Sequence, residues 1–237
     1  MSLSLHEMDE MDEMDTKEAK RNIMSPLYTY QVDIGFSFLY SFPMKTMKTT
    51  KTMKTPVRDL CFVGIFTAII AALSQLSIPM PYGVPMTMQT FAIMFAGIVL
   101  GAKRGALSAL VYVLIGAIGA PVFAGFAGGM GIVLGMTGGF ILSFPLVALF
   151  AGMGEGRKKL IWFVMGLCAG VIINYICGML WFSFVMASDL KIAFTACVLP
   201  FIPTDIVKLV LAAVIGRRVK GALLKAGLLS PHQAKAA

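Results

Sequence analysis

Long stretches without charge organise this chain. No Asp, Glu, Lys or Arg occurs from Leu60 to Ala102, from Gly105 to Gly154, or from Leu160 to Ser188. A helix crosses the ~30 Å hydrocarbon layer of a bilayer with roughly 20 apolar residues, so each run is long enough for one or two crossings. Turn-forming sequence divides them. "SIPMPYGVP" holds three prolines and a glycine, and "GAKRG", "GAPVFAGFAGGMG", "GEGRKK", "SDLK" and "GRRVK" close further segments. The pattern predicts an all-α integral membrane protein, a bundle of six transmembrane helices near residues 58–78, 86–101, 105–120, 137–153, 160–187 and 193–216.

The ends read differently. "MDEMDEMD" is acidic, "MKTMKTTKTMKT" is basic and repetitive, and "IGFSFLYSF" between them is apolar but too short to span. Residues 1–55 are expected to be a disordered tail or the product of a mis-assigned start, with Met44 or Met47 as the alternative first residue. An interfacial segment around Tyr28–Phe42 is the other reading. The membrane domain is expected over 56–222, followed by a cytoplasmic tail over 223–237.

Composition supports the membrane reading. Hydrophobic residues make up 58% and charged residues 14% of the 237, with a mean hydropathy of +0.83, whereas soluble chains run near a quarter charged. The net charge of +8 is unevenly placed. With the odd-numbered gaps outside, the outer loops carry one basic residue, Lys191, and the inner segments from Lys45 onward carry fifteen. That bias predicts that both termini are cytoplasmic. It is a topology signal and gives no reason to expect a nucleic-acid partner.

Small residues recur at helical spacing in two places. Gly64, Ala68 and Ala72 form a narrow face on the first span, and Gly166, Gly170, Asn174 and Gly178 do so on the fifth. Either stripe can serve packing within the bundle. For the first, terminal span, a contact with another protein is the sharper reading.

Catalytic equipment is absent from the pattern. No GxxxxGK[ST] loop occurs, so ATP hydrolysis is not encoded and no enzyme is expected. Both histidines, His6 and His232, lie in the polar ends, so no metal site and no Ser/His/Asp set is expected in the membrane. Cys61, Cys168, Cys177 and Cys197 show no CxxC spacing and read as small hydrophobes.

What remains is one acid and one base inside the last apolar stretch, "PFIPTDIVKLVLAAVIG". Charge at membrane depth is costly and faces a partner or a cavity, and Asp205 and Lys208 share a helical face at i, i+3. They are either a mutual ion pair that steadies the bundle or the polar part of a binding site. Pro200 and Pro203 interrupt the helix just before them, and Thr204 is expected to cap its restart. Two loops can complete a site: one offers Tyr82, Thr87 and Gln89, the other Phe123 and Phe126 among closely spaced glycines.

Three stretches, "IPMPYGVPMTMQTFAIMFAGIVLGAKRGALS", "GAIGAPVFAGFAGGMGIVLGMTGGF" and "PFIPTDIVKL", together resemble the BioY family over about residues 57–222. These are biotin-binding membrane proteins that act as substrate-capture (S) components of energy-coupling factor (ECF) transporters. The resemblance implies a six-helix bundle in a prokaryotic cell membrane that takes biotin from outside and needs no cofactor. It also implies a transmembrane coupling (T) protein and two cytosolic ATPases as partners, with Ala68 and Ala72 at the T-protein contact. Asp205 and Lys208 match the family's last-helix motif and are expected to bind biotin, Asp205 accepting from its ureido nitrogens. Gln89, Asn174 and Tyr175 are expected to support them, with Phe123, Gly125 and Gly128 in the cover. A stand-alone or proton-coupled transporter of biotin or a related vitamin is the alternative.

Overall fold

The computed structural model describes residues 56–80, 83–157 and 159–229. The expected N-terminal tail, the interfacial segment, Tyr82 and the end of the C-terminal tail lie outside these residues. The described chain is mostly helical. Its helices are α1 (Pro56–Ser74), α2 (Gln89–Leu100), α3 (Ala102–Ala117), α4 (Met130–Val133), α5 (Gly138–Glu155), α6 (Leu160–Val185), α7 (Leu190–Cys197) and α8 (Ile202–Lys225).

Every expected break except the last, at "GRRVK", is present, but the form differs from the sequence reading in four places. After α1 the chain does not stay helical to Ile78. Strand β1 (Ser77–Ile78) pairs antiparallel with β2 (Met86–Thr87) in a short hairpin. Pro79 and Pro85 cannot continue a helix, and the extended residues beside them satisfy their backbone groups by pairing. "GAKRG" is scarcely a loop, since only Gly101 separates α2 from α3, at a φ of 84° that favours glycine. Residues 190–225 form two helices, α7 and α8, bent by 51°. Thr204 does not cap the restart: α8 begins one turn earlier, behind Phe201, and the Thr204 hydroxyl donates to Phe201 O at 2.9 Å. Pro203 takes a place in the first turn, where a missing N–H costs nothing.

Three described helices, α1, α5 and α6, are long and apolar enough to cross a membrane, and the bent α7–α8 pair makes a fourth candidate. Helix α2 is too short for that on its own, since 12 residues rise about 18 Å. It is apolar on every side and lies at the centre, packed by α1, α3, α5 and α8. The most extensive helix pair is α5 with α6. There the Gly166, Gly170 and Gly178 stripe faces Gly154, Val147 and the Phe140 ring, so it serves packing within the bundle. The Gly64, Ala68 and Ala72 face of α1 is exposed.

Charge collects at one end of the bundle. Asp59 in the first turn of α1 pairs with Arg104 of α3 at 2.8 Å. Glu155 at the end of α5 meets Arg217 at 2.9 Å and Lys220 at 3.7 Å. The α8 helix therefore runs through "GRRVK" instead of stopping there, because Glu155 offers these cations a partner. The Arg217 guanidinium also lies 4.1 Å from the centre of the Phe163 ring.

Candidate functional site

Nine residues before Arg217, Lys208 lies about 13 Å farther along α8. Here the helix faces a cavity of about 390 Å³. Asp205 and Lys208 are 4% and 6% exposed, and the Lys208 ammonium donates to Asp205 Oδ1 at 2.7 Å. The Tyr175 hydroxyl of α6 donates to Asp205 Oδ2 at 2.6 Å, and Thr90 of α2 reaches Oδ1 at 3.4 Å. A buried ion pair is held in place by further hydrogen bonds, and side chains from two other helices supply them to Asp205 here. The pair has no net charge, and it still has capacity: an ammonium has three N–H groups and a carboxylate about four acceptor directions.

Two further polar groups face the same space. Gln89, in the first turn of α2, donates through Nε2 to the Tyr112 hydroxyl at 2.6 Å, and its Oε1 accepts from Thr87 at 3.1 Å. The Tyr112 hydroxyl in turn donates a hydrogen bond to Val122 O at 3.1 Å. On α6, Asn174 accepts from Ser143 of α5 at 2.7 Å. Most of the remaining wall is apolar, from Phe123, Phe140, Phe144, Ile141 and Phe201.

The loop between α3 and α4 supplies the cover. Its inner residue, Phe123, is 1% exposed and sets its ring edge-on to Tyr112, with centroids 5.5 Å apart. The ring occupies the space where a side chain at position 116 would be, so Gly116 is required by contact. A tight turn follows: Phe123 N donates to Ala127 O at 2.9 Å, closing a turn through Ala124–Phe126.

Of the residues expected at the site, Asp205, Lys208, Gln89, Phe123, Asn174 and Tyr175 line one cavity. Gly125 and Gly128 lie in the loop behind it and do not line it: Gly125 makes the left-handed turn at φ 70°, and Gly128 packs against the backbone of Ala120. Ala68 and Ala72 lie away from the cavity on the open face of α1. Sequence reasoning missed Thr90, Tyr112, Ser143 and Gln75. Thr90 follows Gln89 directly, and its position at the start of a helix opposite two buried charges was the available signal. Among the described residues no cluster of His, Cys, Asp and Glu could hold a metal ion.

Membrane-length helices around a mostly apolar cavity with a buried ion pair that keeps hydrogen-bonding capacity define an integral membrane protein built to bind a small molecule. Comparison with known proteins gives the family. The BioY family model matches residues 44–225. The "Probable biotin transporter BioY" of Pyrococcus horikoshii is 40% identical over 164 residues, covering 69% of this chain and 97% of that one. The "Biotin transporter BioY" of Thermotoga maritima is 39% identical over 165 residues, covering 69% and 96%. Among solved structures, the S-component for biotin from an ECF-type ABC transporter superposes with a TM-score of 0.64 at 30% identity, over 70% of this chain and 92% of that one. The chain belongs to the BioY family.

Proposed function

We propose that this chain captures biotin and delivers it across the prokaryotic cell membrane as the substrate-binding (S) component of an ATP-driven ECF transporter. The observation that carries this reading is the Asp205–Lys208 pair, buried at 2.7 Å in an otherwise mostly apolar cavity of about 390 Å³. That volume lies in the range of small-molecule sites. Biotin combines a ureido group, a thioether ring and an aliphatic acid chain. A buried carboxylate accepts ureido N–H groups, the ammonium donates to the ureido carbonyl, and the aromatic wall covers the rings. Asp205, Lys208 and Tyr175 form the polar head of the site, Gln89 and Asn174 its flanks, and Phe123 its cover. Gly125 gives the cover its turn, and Gly128 lets the loop pack against Ala120.

The same reading gives six membrane-spanning helices over 56–222, with both termini cytoplasmic. The basic residues favour it, and so does the gathering of Asp59, Arg104, Glu155 and Arg217 at the end away from the cavity. The exposed Ala68 and Ala72 face of α1 is where the T protein docks, and that protein brings two ATPase subunits. Transport in cells that lack their own biotin uptake tests this. Uptake of labelled biotin should require the co-expressed T protein and ATPases and should stop when ATP is depleted. Uptake that collapses under an uncoupler while ATP is maintained would instead favour a proton-coupled carrier.

A further inference from the structure

The cover loop is held by a residue that neither lines the cavity nor belongs to the helices flanking the loop. Gln75 follows the last residue of α1. Its Oε1 accepts the N–H of Phe126 at 2.8 Å, while its Nε2 lies 3.2 Å from Val122 O and 3.1 Å from Phe123 O. The orientation of the amide is forced, because an N–H must meet the oxygen and carbonyls must meet the nitrogen. Ser74 beside it adds a hydroxyl bond to Val122 O. Ala71 O and the Ser74 hydroxyl are alternative acceptors for Nε2 within its own helix, at 3.2 and 3.0 Å. Gln75 therefore has partners whether or not the loop is engaged.

The segment it grips needs holding. Gly125 and Phe126 adopt successive left-handed conformations at φ 70° and 57°. For a bulky residue such as Phe126 that conformation is strained and persists only where surrounding contacts impose it. The Phe126 side chain is 72% exposed and contributes little anchoring of its own, whereas three residues back Phe123 is buried against the cavity. Without the Gln75 bond, Phe126 is free to leave the left-handed region, and the turn that aims Phe123 inward relaxes.

We propose that Gln75 is a positioning residue for ligand retention, coupling the C-terminal end of α1 to the Phe123 cover of the cavity. It touches no ligand. The cover then follows α1, the same helix whose Gly64, Ala68 and Ala72 face is open. Displacing the end of α1 away from the loop breaks the Gln75 contacts, which join the two across 47 to 51 residues of sequence. The ligand is thereby released by movement of the helix and not by a change at Asp205.

This inference rests on the reading of the cavity as a biotin site. It is tested on the full chain in lipid nanodiscs, by following dissociation of radiolabelled biotin after dilution into unlabelled biotin. Gln75→Met keeps the length of the side chain and removes its hydrogen bonds. Dissociation should accelerate about tenfold, with an association rate within twofold of the unaltered chain. Ser74→Ala, which removes one bond to the same loop, should accelerate dissociation by a smaller factor. A variant that merely folds poorly has fewer binding sites but leaves the dissociation rate of the survivors unchanged, so the rate separates positioning from stability. Dissociation at the unaltered rate in both variants overturns the inference alone. Absence of biotin binding by the unaltered chain overturns the functional reading beneath it.

Discussion

Removing the charge from Asp205 separates two roles that the buried pair combines. In Asp205→Asn the side chain keeps its shape, and its oxygen still accepts from Tyr175. Lys208, 6% exposed, loses its 2.7 Å counter-ion and stays in an apolar surround. Breaking a buried pair on one side costs about 3–5 kcal/mol of stability. At roughly 2–4 °C per kcal/mol for a chain of this size, the lower figure lowers the melting temperature by about 6–12 °C. Biotin binding loses a charge-assisted acceptor as well. At about 3 kcal/mol for that bond and the accompanying reorganisation, the dissociation constant rises about a hundredfold. The double variant Asp205→Asn/Lys208→Met removes both charges, so the stability cost is largely recovered. Binding is not recovered, because neither charged partner of the ureido group remains. The assay pairs thermal unfolding of the purified chain with equilibrium binding of labelled biotin for wild type, single and double variants. A double variant that binds within threefold of wild type would refute the role assigned to the pair. A single variant as stable as wild type would refute the burial argument.

Three further outcomes follow from the same geometry. Tyr175→Phe deletes the donor 2.6 Å from Asp205 Oδ2 and should weaken biotin binding about tenfold with little change in unfolding temperature, checked by the same binding assay. Gly116→Val places a side chain in the space of the Phe123 ring, so the cover is forced outward and affinity falls at least tenfold; unchanged affinity would mean that Phe123 is not part of the site. The chain has two tryptophans, and Trp181 donates to the backbone of Gly135 in the cavity wall at 2.9 Å. In Trp162→Phe, saturating biotin should therefore alter Trp181 emission, and a flat titration would place the ligand elsewhere.

Much of this architecture is legible in the sequence because the bilayer permits few solutions. Charge-free runs bounded by proline and glycine clusters correspond to helices within a few residues at α1, α3, α5 and α6. Asp205 and Lys208 stand out because no other Asp, Glu, Lys or Arg lies in the apolar runs, and a buried acid and base must meet a partner. Local detail was harder to read. The hairpin that shortens α1 and α2 depends on two-residue strands finding each other, and no periodicity announces so short a pair. Thr204 has the composition of a cap, but the helix begins earlier, behind Phe201. The extension of α8 to Lys225 depends on Glu155, more than sixty residues away in sequence. The same holds for Thr90 with Asp205 and Gln75 with Phe126: each contact is polar, long-range and invisible to residue spacing.

We propose that this cavity holds biotin against Asp205 and Lys208. Calorimetric titration of biotin into the full wild-type chain in nanodiscs, repeated with Lys208→Met, tests it most directly. Saturable binding at one biotin per chain is expected in the wild type, with a loss of about a hundredfold or more in the variant. No saturable heat in the wild type, or equal affinity in both proteins, would contradict it.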